Sequence, residues 1–308
     1  MTDRLRALVH VLAPLVLLTS SCALAGPSDE FGPARQAGVV RGELISEASG
    51  LVASRQNPGV LWVHNDSGDK PRVYAINTKG DLLGICNVGG ATARDWEDIA
   101  IGPGPDPNRQ YLYIGDIGDN QAKYPEVIVY RVPEPKLDAA VAFGMMPIGP
   151  AEAIHLTYPG GPRDAETLLV DPQTRDIYII AKRELFSKVY RAGYPQSTTQ
   201  QTRLEAVTVL PWGFATGGDV SPDGREVIVR SMGNASLWTR PAGEPLWHAF
   251  SGRQIHLPLA NEPQGEAICF DSQGLGYFTI SEGARPPLYY FPRATERAPT
   301  QAAPDTRQ

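Results

Sequence analysis

The chain has 308 residues, with 28 Lys and Arg against 34 Asp and Glu for a net charge of −6, and it carries 31 Gly, 28 Pro and 3 Cys. Glycine plus proline is roughly a fifth of the chain where about 12% is usual, and both residues interrupt helices, which excludes a helical bundle. A hydrophobic share of 42% supplies a core, the acidic balance without basic clusters argues against nucleic-acid binding, and three cysteines cannot build a disulfide scaffold.

Residues 1–25 read as an export signal. Arg4 and Arg6 precede an apolar run from Ala7 to Leu18, and small residues follow. That run, interrupted by His10 and Pro14, is too short to span a bilayer stably. Cleavage is expected either before Cys22, which would then carry a lipid, or after Ala25. The expected location is therefore the bacterial cell envelope, as a membrane-anchored lipoprotein, or a secreted or periplasmic form. Residues 26–37 read as a flexible linker, 38–292 as one domain, and 293–308 as a disordered tail.

The extended stretch Gly38 to Leu44 comes next, and then five segments share one layout. Their first strands start near Ser49, Glu97, Glu166, Thr216 and Glu266, mostly about 50 residues apart. Second strands follow at Leu61-Trp62-Val63, Leu112-Tyr113-Ile114, Ile177-Tyr178-Ile179-Ile180, Val227-Ile228-Val229 and Tyr277-Phe278-Thr279-Ile280. Third strands centre on Tyr74, Tyr130, Tyr190, Trp238 and Tyr289, and fourth strands fit at Gly84–Val88, Ile154–Thr157, Val207–Leu210 and Ile255–Leu257. Four-stranded units in tandem predict an all-β fold, a β-propeller of five four-stranded blades. The fifth repeat lacks a fourth strand, so the stretch before the first repeat is expected to pair with it and close the ring. Six blades is the alternative, should residues 133–153 hide strands; a long loop is the expectation there. Cys86 and Cys269 lie in apolar strand patterns and read as two separate buried thiols.

Aligned on the turn after the first strand, Ser49, Glu97, Glu166, Thr216 and Glu266 share one register, with Glu47, Asp95 and Asp164 two positions earlier. First strands line a propeller's tunnel, so the five side chains are expected to converge on one axis. Converging carboxylates repel unless a cation neutralises them, and oxygen donors without His or Cys favour a hard cation, calcium before magnesium. Glu47, Asp95 and Asp164 would stand behind these ligands. The ends of the second strands, Asn65, Asp116, Lys182, Met232 and Glu282, form a wider rim, with Asp66 and Arg183 next along and Arg230 facing the same opening. Its cations would hold a small anionic ligand such as phosphate. His64 and His155 have no triad partners by spacing and read as ordinary strand histidines.

At these residues the chain resembles the calcium-activated nucleotidase (apyrase) family of five-bladed propellers, whose tunnel calcium is held in the order Ser, Glu, Glu, Ser, Glu. Here the order is Ser49, Glu97, Glu166, Thr216, Glu266. A second resemblance, through Gln264-Gly265-Glu266-Ala267-Ile268 and Thr279-Ile280-Ser281-Glu282-Gly283, is to β-propeller phytases and their esterase-like relatives. These likenesses imply calcium as cofactor. The expected function is a ligand- or partner-binding module for a small anion or an envelope protein, acting as a monomer. The alternative is a calcium-dependent phosphohydrolase at the tunnel mouth, with no catalytic base that the sequence names.

Overall fold

The structure, a computed structural model, describes residues 30–137 and 144–294. The leader, Cys22 and most of the expected tail lie outside the described residues. Strand β1 (Arg35–Val39) precedes five sheets. Blade 1 is β2 (Ala48–Ala53), β3 (Val60–Asn65), β4 (Arg72–Asn77) and β5 (Leu82–Val88). Blade 2 begins with β6 (Trp96–Pro103), β7 (Gln110–Asp116) and β8 (Val127–Pro133). The chain then visits blade 1 as β9 (Met145–Ile148) before returning as β10 (Glu152–Thr157), the fourth strand of blade 2. Blade 3 is β11 (Ala165–Val170), β12 (Ile177–Ala181) and β13 (Lys188–Ala192). After the short β14 (Thr202–Arg203), which joins blade 2, it is completed by β15 (Glu205–Val209). Blade 4 is β16 (Gly217–Val220), β17 (Glu226–Arg230), β18 (Ala235–Thr239) and β19 (Ile255–His256), and blade 5 is β20 (Gly265–Phe270), β21 (Gly276–Ser281) and β22 (Pro287–Pro292).

The inner strands β2, β6, β11, β16 and β20 each pack on the next, and β20 returns to β2, which closes a five-bladed β-propeller. A blade is covered on both faces, so its central strands are buried throughout, as in β3 and β12. The described residues form five apolar clusters, and each one joins two neighbouring blades. No blade encloses a core alone, and the ring is therefore the folding unit. Two fully buried aspartates tie inner strands together. Asp98 accepts from its neighbour Ile99 N and across the gap from Leu168 N at 2.9 Å, and Asp219 does the same for Val220 N and Phe270 N.

Ring closure falls to β1, antiparallel to β22, as the missing fourth strand of blade 5. The strand begins earlier than expected, inside the stretch read as linker, where Phe31 is also buried edge-on to Tyr277. Beyond β1 the chain crosses to blade 1, where Arg41 N donates to Gly80 O. Gly38 lies so close to that turn that a Cβ would sit 1.9 Å from Lys79 O.

The expected loop at 133–153 contains β9, which runs parallel to β5 and covers its edge, burying Ile148. This crossover starts from a staple. Glu134 is 4% exposed, and its carboxylate accepts from Ser54 Oγ, Arg55 N (3.2 Å), Gln56 N (3.1 Å) and Trp62 Nε1 (2.9 Å). Blade 4's fourth strand is short because a 3-10 turn, Leu246–Ser251, precedes it and packs Phe250 edge-on to Trp238. Cys86 and Cys269 are separate, free and buried, and burial pushes the Cys86 thiol up to about 12.

Candidate metal centre at the tunnel mouth

Each inner strand except β16 carries a bulge at the ring position. Pairing slips between Ala48 and Gly50, Trp96 and Asp98, Ala165 and Thr167, and Gly265 and Ala267. In blade 4 Thr216 stands just before β16, with its N–H donating to Arg230 O. A bulge re-aims the extra residue's side chain, and here it does so in four blades at one level. All five ring residues are buried.

They divide into two kinds. The hydroxyls link blades, Ser49 Oγ donating to Glu97 O at 2.5 Å and Thr216 Oγ1 to Glu266 O at 3.3 Å. The carboxylates face one another. Ligand atoms of Glu97, Asp164 and Glu166 lie within 4.8 Å of one another, as do those of Asp66, Asp95 and Glu97. The two triads share Glu97 and draw on blades 1, 2 and 3. Asp95 and Asp164, expected behind the ring, stand beside Glu97 and Glu166 as donors, whereas Glu47 is exposed. Asp66 belongs with them.

A lysine ammonium stands between Glu166 and Glu266. Lys182 Nζ contacts Glu166 Oε1 and lies 4.0 Å from Glu266 Oε1. Glu166 Oε2, buried, has no hydrogen-bond partner. Burial pushes Glu166 up to about 8 despite the lysine. Burial, with the charges of Glu166 and Asp66, holds Glu97 well above the usual carboxylate range. Burial, with the Asp66, Asp164 and Asp116 charges, pushes Asp95 up to about 6. Without a cation Glu166 holds its proton near neutral pH; with one it ionises. The donor set is all oxygen and drawn from separate blades, which fits calcium.

The rim differs from its expected register. Asn65, Asp116 and Ser281 pair with the residues before the ring positions, and so does Ala181; Lys182 and Glu282 fall one step later, level with Asp66. The backbone N–H groups of Asp66, Lys182 and Glu282 all donate to the carbonyl two residues before the ring, at Glu47, Asp164 and Gln264. Asn65 and Asp116 act as clamps, accepting from Glu47 N at 3.3 Å and Asp95 N at 3.0 Å. Glu282, pushed up to about 7 by burial and by the Glu266 and Asp66 charges, accepts from Gln264. Arg183 is exposed and holds Asp164 Oδ2 at 2.7 Å and Asn120.

Arg230 does not stand on the open rim. It is fully buried and paired with Glu262 at 2.9 Å, in space left by Gly265, where a Cβ would meet its Nη2 at 2.0 Å. His64 donates through Nδ1 to Asn65 O at 2.8 Å, and burial lowers its basicity. His155 pairs with Glu126 at 3.1 Å, away from the mouth.

The acidic turn after β7 roofs the cluster. A Cβ on Gly118 would lie 2.1 Å from Glu97 Oε1 and 2.5 Å from Asp95 Oδ2, and Asp119 N donates to Asp164 Oδ1 at 2.9 Å.

No family model matches the sequence, and neither does any curated protein. Among solved structures the chain is similar to hydrazine synthase from Kuenenia stuttgartiensis, at 8% identity over 80% of this chain and 84% of that one, with a TM-score of 0.39. That likeness carries nothing about chemistry.

Proposed function

We propose that the protein is an exported, lipid-anchored propeller that holds a calcium ion at its tunnel mouth and binds a ligand or partner there. The observation that carries the metal is the pair of overlapping carboxylate triads sharing Glu97, with a buried, unpartnered oxygen on Glu166. Asp66, Asp95, Glu97, Asp164 and Glu166 would hold the ion, which would fix their charges and lock three blades together. Export and the anchor at Cys22 rest on the charged, apolar and small-residue order of the leader. No helix among the described residues is long and apolar enough to cross a membrane.

The test is thermal melting of the mature chain in chelator and in calcium. Binding to the folded state alone raises the melting temperature, by about 2.7 kcal/mol of stability at a hundredfold excess over Kd. Glu97→Gln should abolish the calcium response. An unchanged response in that variant would refute the site.

The placement of Lys182 beside the triads favours a second reading, a phosphohydrolase in which metal and ammonium share a phosphoryl group. Calcium-dependent phosphate release from nucleoside triphosphates or phytate, lost in Lys182→Met, would establish it.

A further inference from the structure

The mouth is lopsided. Blades 2 and 3 place Asp95 and Asp164 two residues before the ring, whereas blade 4 places Phe214 there. Phe214 is 54% exposed and has φ 61°, a left-handed backbone that a bulky residue rarely adopts. Its N–H donates to Lys182 O at 2.9 Å, which sets this residue beside the one whose ammonium reaches Glu166. Gly213, just before it, packs so tightly that a Cβ would sit 1.7 Å from Glu184 O. The segments 182–187 and 212–214 are thereby pressed together, and Leu185 (79% exposed) and Phe186 (59% exposed) continue the apolar surface outward. Met232, at the tip of the β17–β18 turn on the same face, is exposed as well. An apolar lip spanning two blades thus adjoins the acidic pit.

We infer that this lip and pit together bind an extended peptide segment in which a basic side chain stands next to apolar ones. The carboxylates of the mouth outnumber its cations Lys182, Arg183 and Arg94, the last held by Asp116, and the mouth stays net negative after a divalent ion binds, so the complementary group is a cation. Exposed apolar side chains from two blades, Phe214 among them on a strained backbone, call for apolar groups beside that cation, which a peptide segment supplies. The inference rests on the mouth being the binding site proposed above and names the class of its partner.

The test uses the mature protein with calcium and a fluorescein-labelled hexapeptide of lysines flanked by leucines, read by anisotropy, beside its glutamate-for-lysine counterpart. The lysine peptide should bind saturably and about tenfold or more tighter, with affinity falling as salt rises. Phe214→Asn suits the left-handed backbone, so this variant should melt no lower than the parent, keep its calcium response, and bind the lysine peptide about tenfold more weakly. Equal binding of both peptides, no binding of either, or undiminished binding by Phe214→Asn would overturn the inference. So would Phe214-dependent binding to vesicles of anionic phospholipid without peptide binding, which would make the lip a membrane contact. Loss of the calcium response with peptide discrimination retained would refute the metal alone.

Discussion

Raising the pH from 6.5 to 8 in chelator should destabilise this protein. An unfolded glutamate loses its proton near 4.5, whereas Glu166 in the fold holds one up to about 8. Between those values the native state binds more protons than the unfolded state, and stability falls as pH rises. His64 acts with the opposite sign. Burial lowers its folded value below 6.5, where an unfolded imidazole is still half protonated, so it offsets the fall by at most about 0.4 kcal/mol, mostly below pH 7. The span of about 1.5 pH units is worth at most about 2 kcal/mol per proton, and Glu166 is half titrated at its upper end, which leaves about 1–2 kcal/mol. For a domain of this size that is a drop of about 2–8 °C in melting temperature. The assay is scanning fluorimetry across the window in chelator, repeated in calcium and with Glu166→Gln. Calcium, which ionises the cluster, should flatten or reverse the fall, and Glu166→Gln should shrink it. A melting temperature that is flat or rising in chelator would mean that Glu166 carries no proton in the fold across this window.

Two further substitutions separate fold from site. Glu134→Ala strips a buried acceptor from Ser54 Oγ, Arg55 N, Gln56 N and Trp62 Nε1, and should cost about 3 kcal/mol in urea unfolding. A loss under about 1 kcal/mol would mean that the crossover to β9 is not held there. Gly118→Ala pushes a methyl against the ends of Glu97 and Asp95, which can swing aside. It should leave melting in chelator within about 1 kcal/mol of the parent and weaken calcium at least about tenfold, measured by titration calorimetry. An unchanged calcium affinity would move the ion away from those carboxylates.

The blade framework was legible because short apolar strands and Pro/Gly turns recur at one period, and a ring needs its odd strand supplied from the other end. Glu97 and Glu166 were legible from the same register. Asp66 read as a position beside the rim and not as a ligand, because its side chain joins the cluster through tertiary closeness and not through the repeat. The rim slipped by a residue in blades 3 and 5, since bulges and turn lengths alter cross-strand pairing without a mark in composition. Arg230 read as a surface cation at a strand end; its burial depends on Gly265 and Glu262 of the following segment. Strand β9 was missed because Met145-Met146-Pro147-Ile148 shows no alternation and its pairing partner lies in another blade.

A divalent cation held by carboxylates of blades 1 to 3 is located by the anomalous difference map of a terbium-soaked crystal. One strong peak is expected in contact with Glu97, between the Glu166–Asp164 pair and the Asp66–Asp95 pair, and absent in Glu97→Gln. A peak elsewhere on the molecule, or none at saturating terbium, would contradict it.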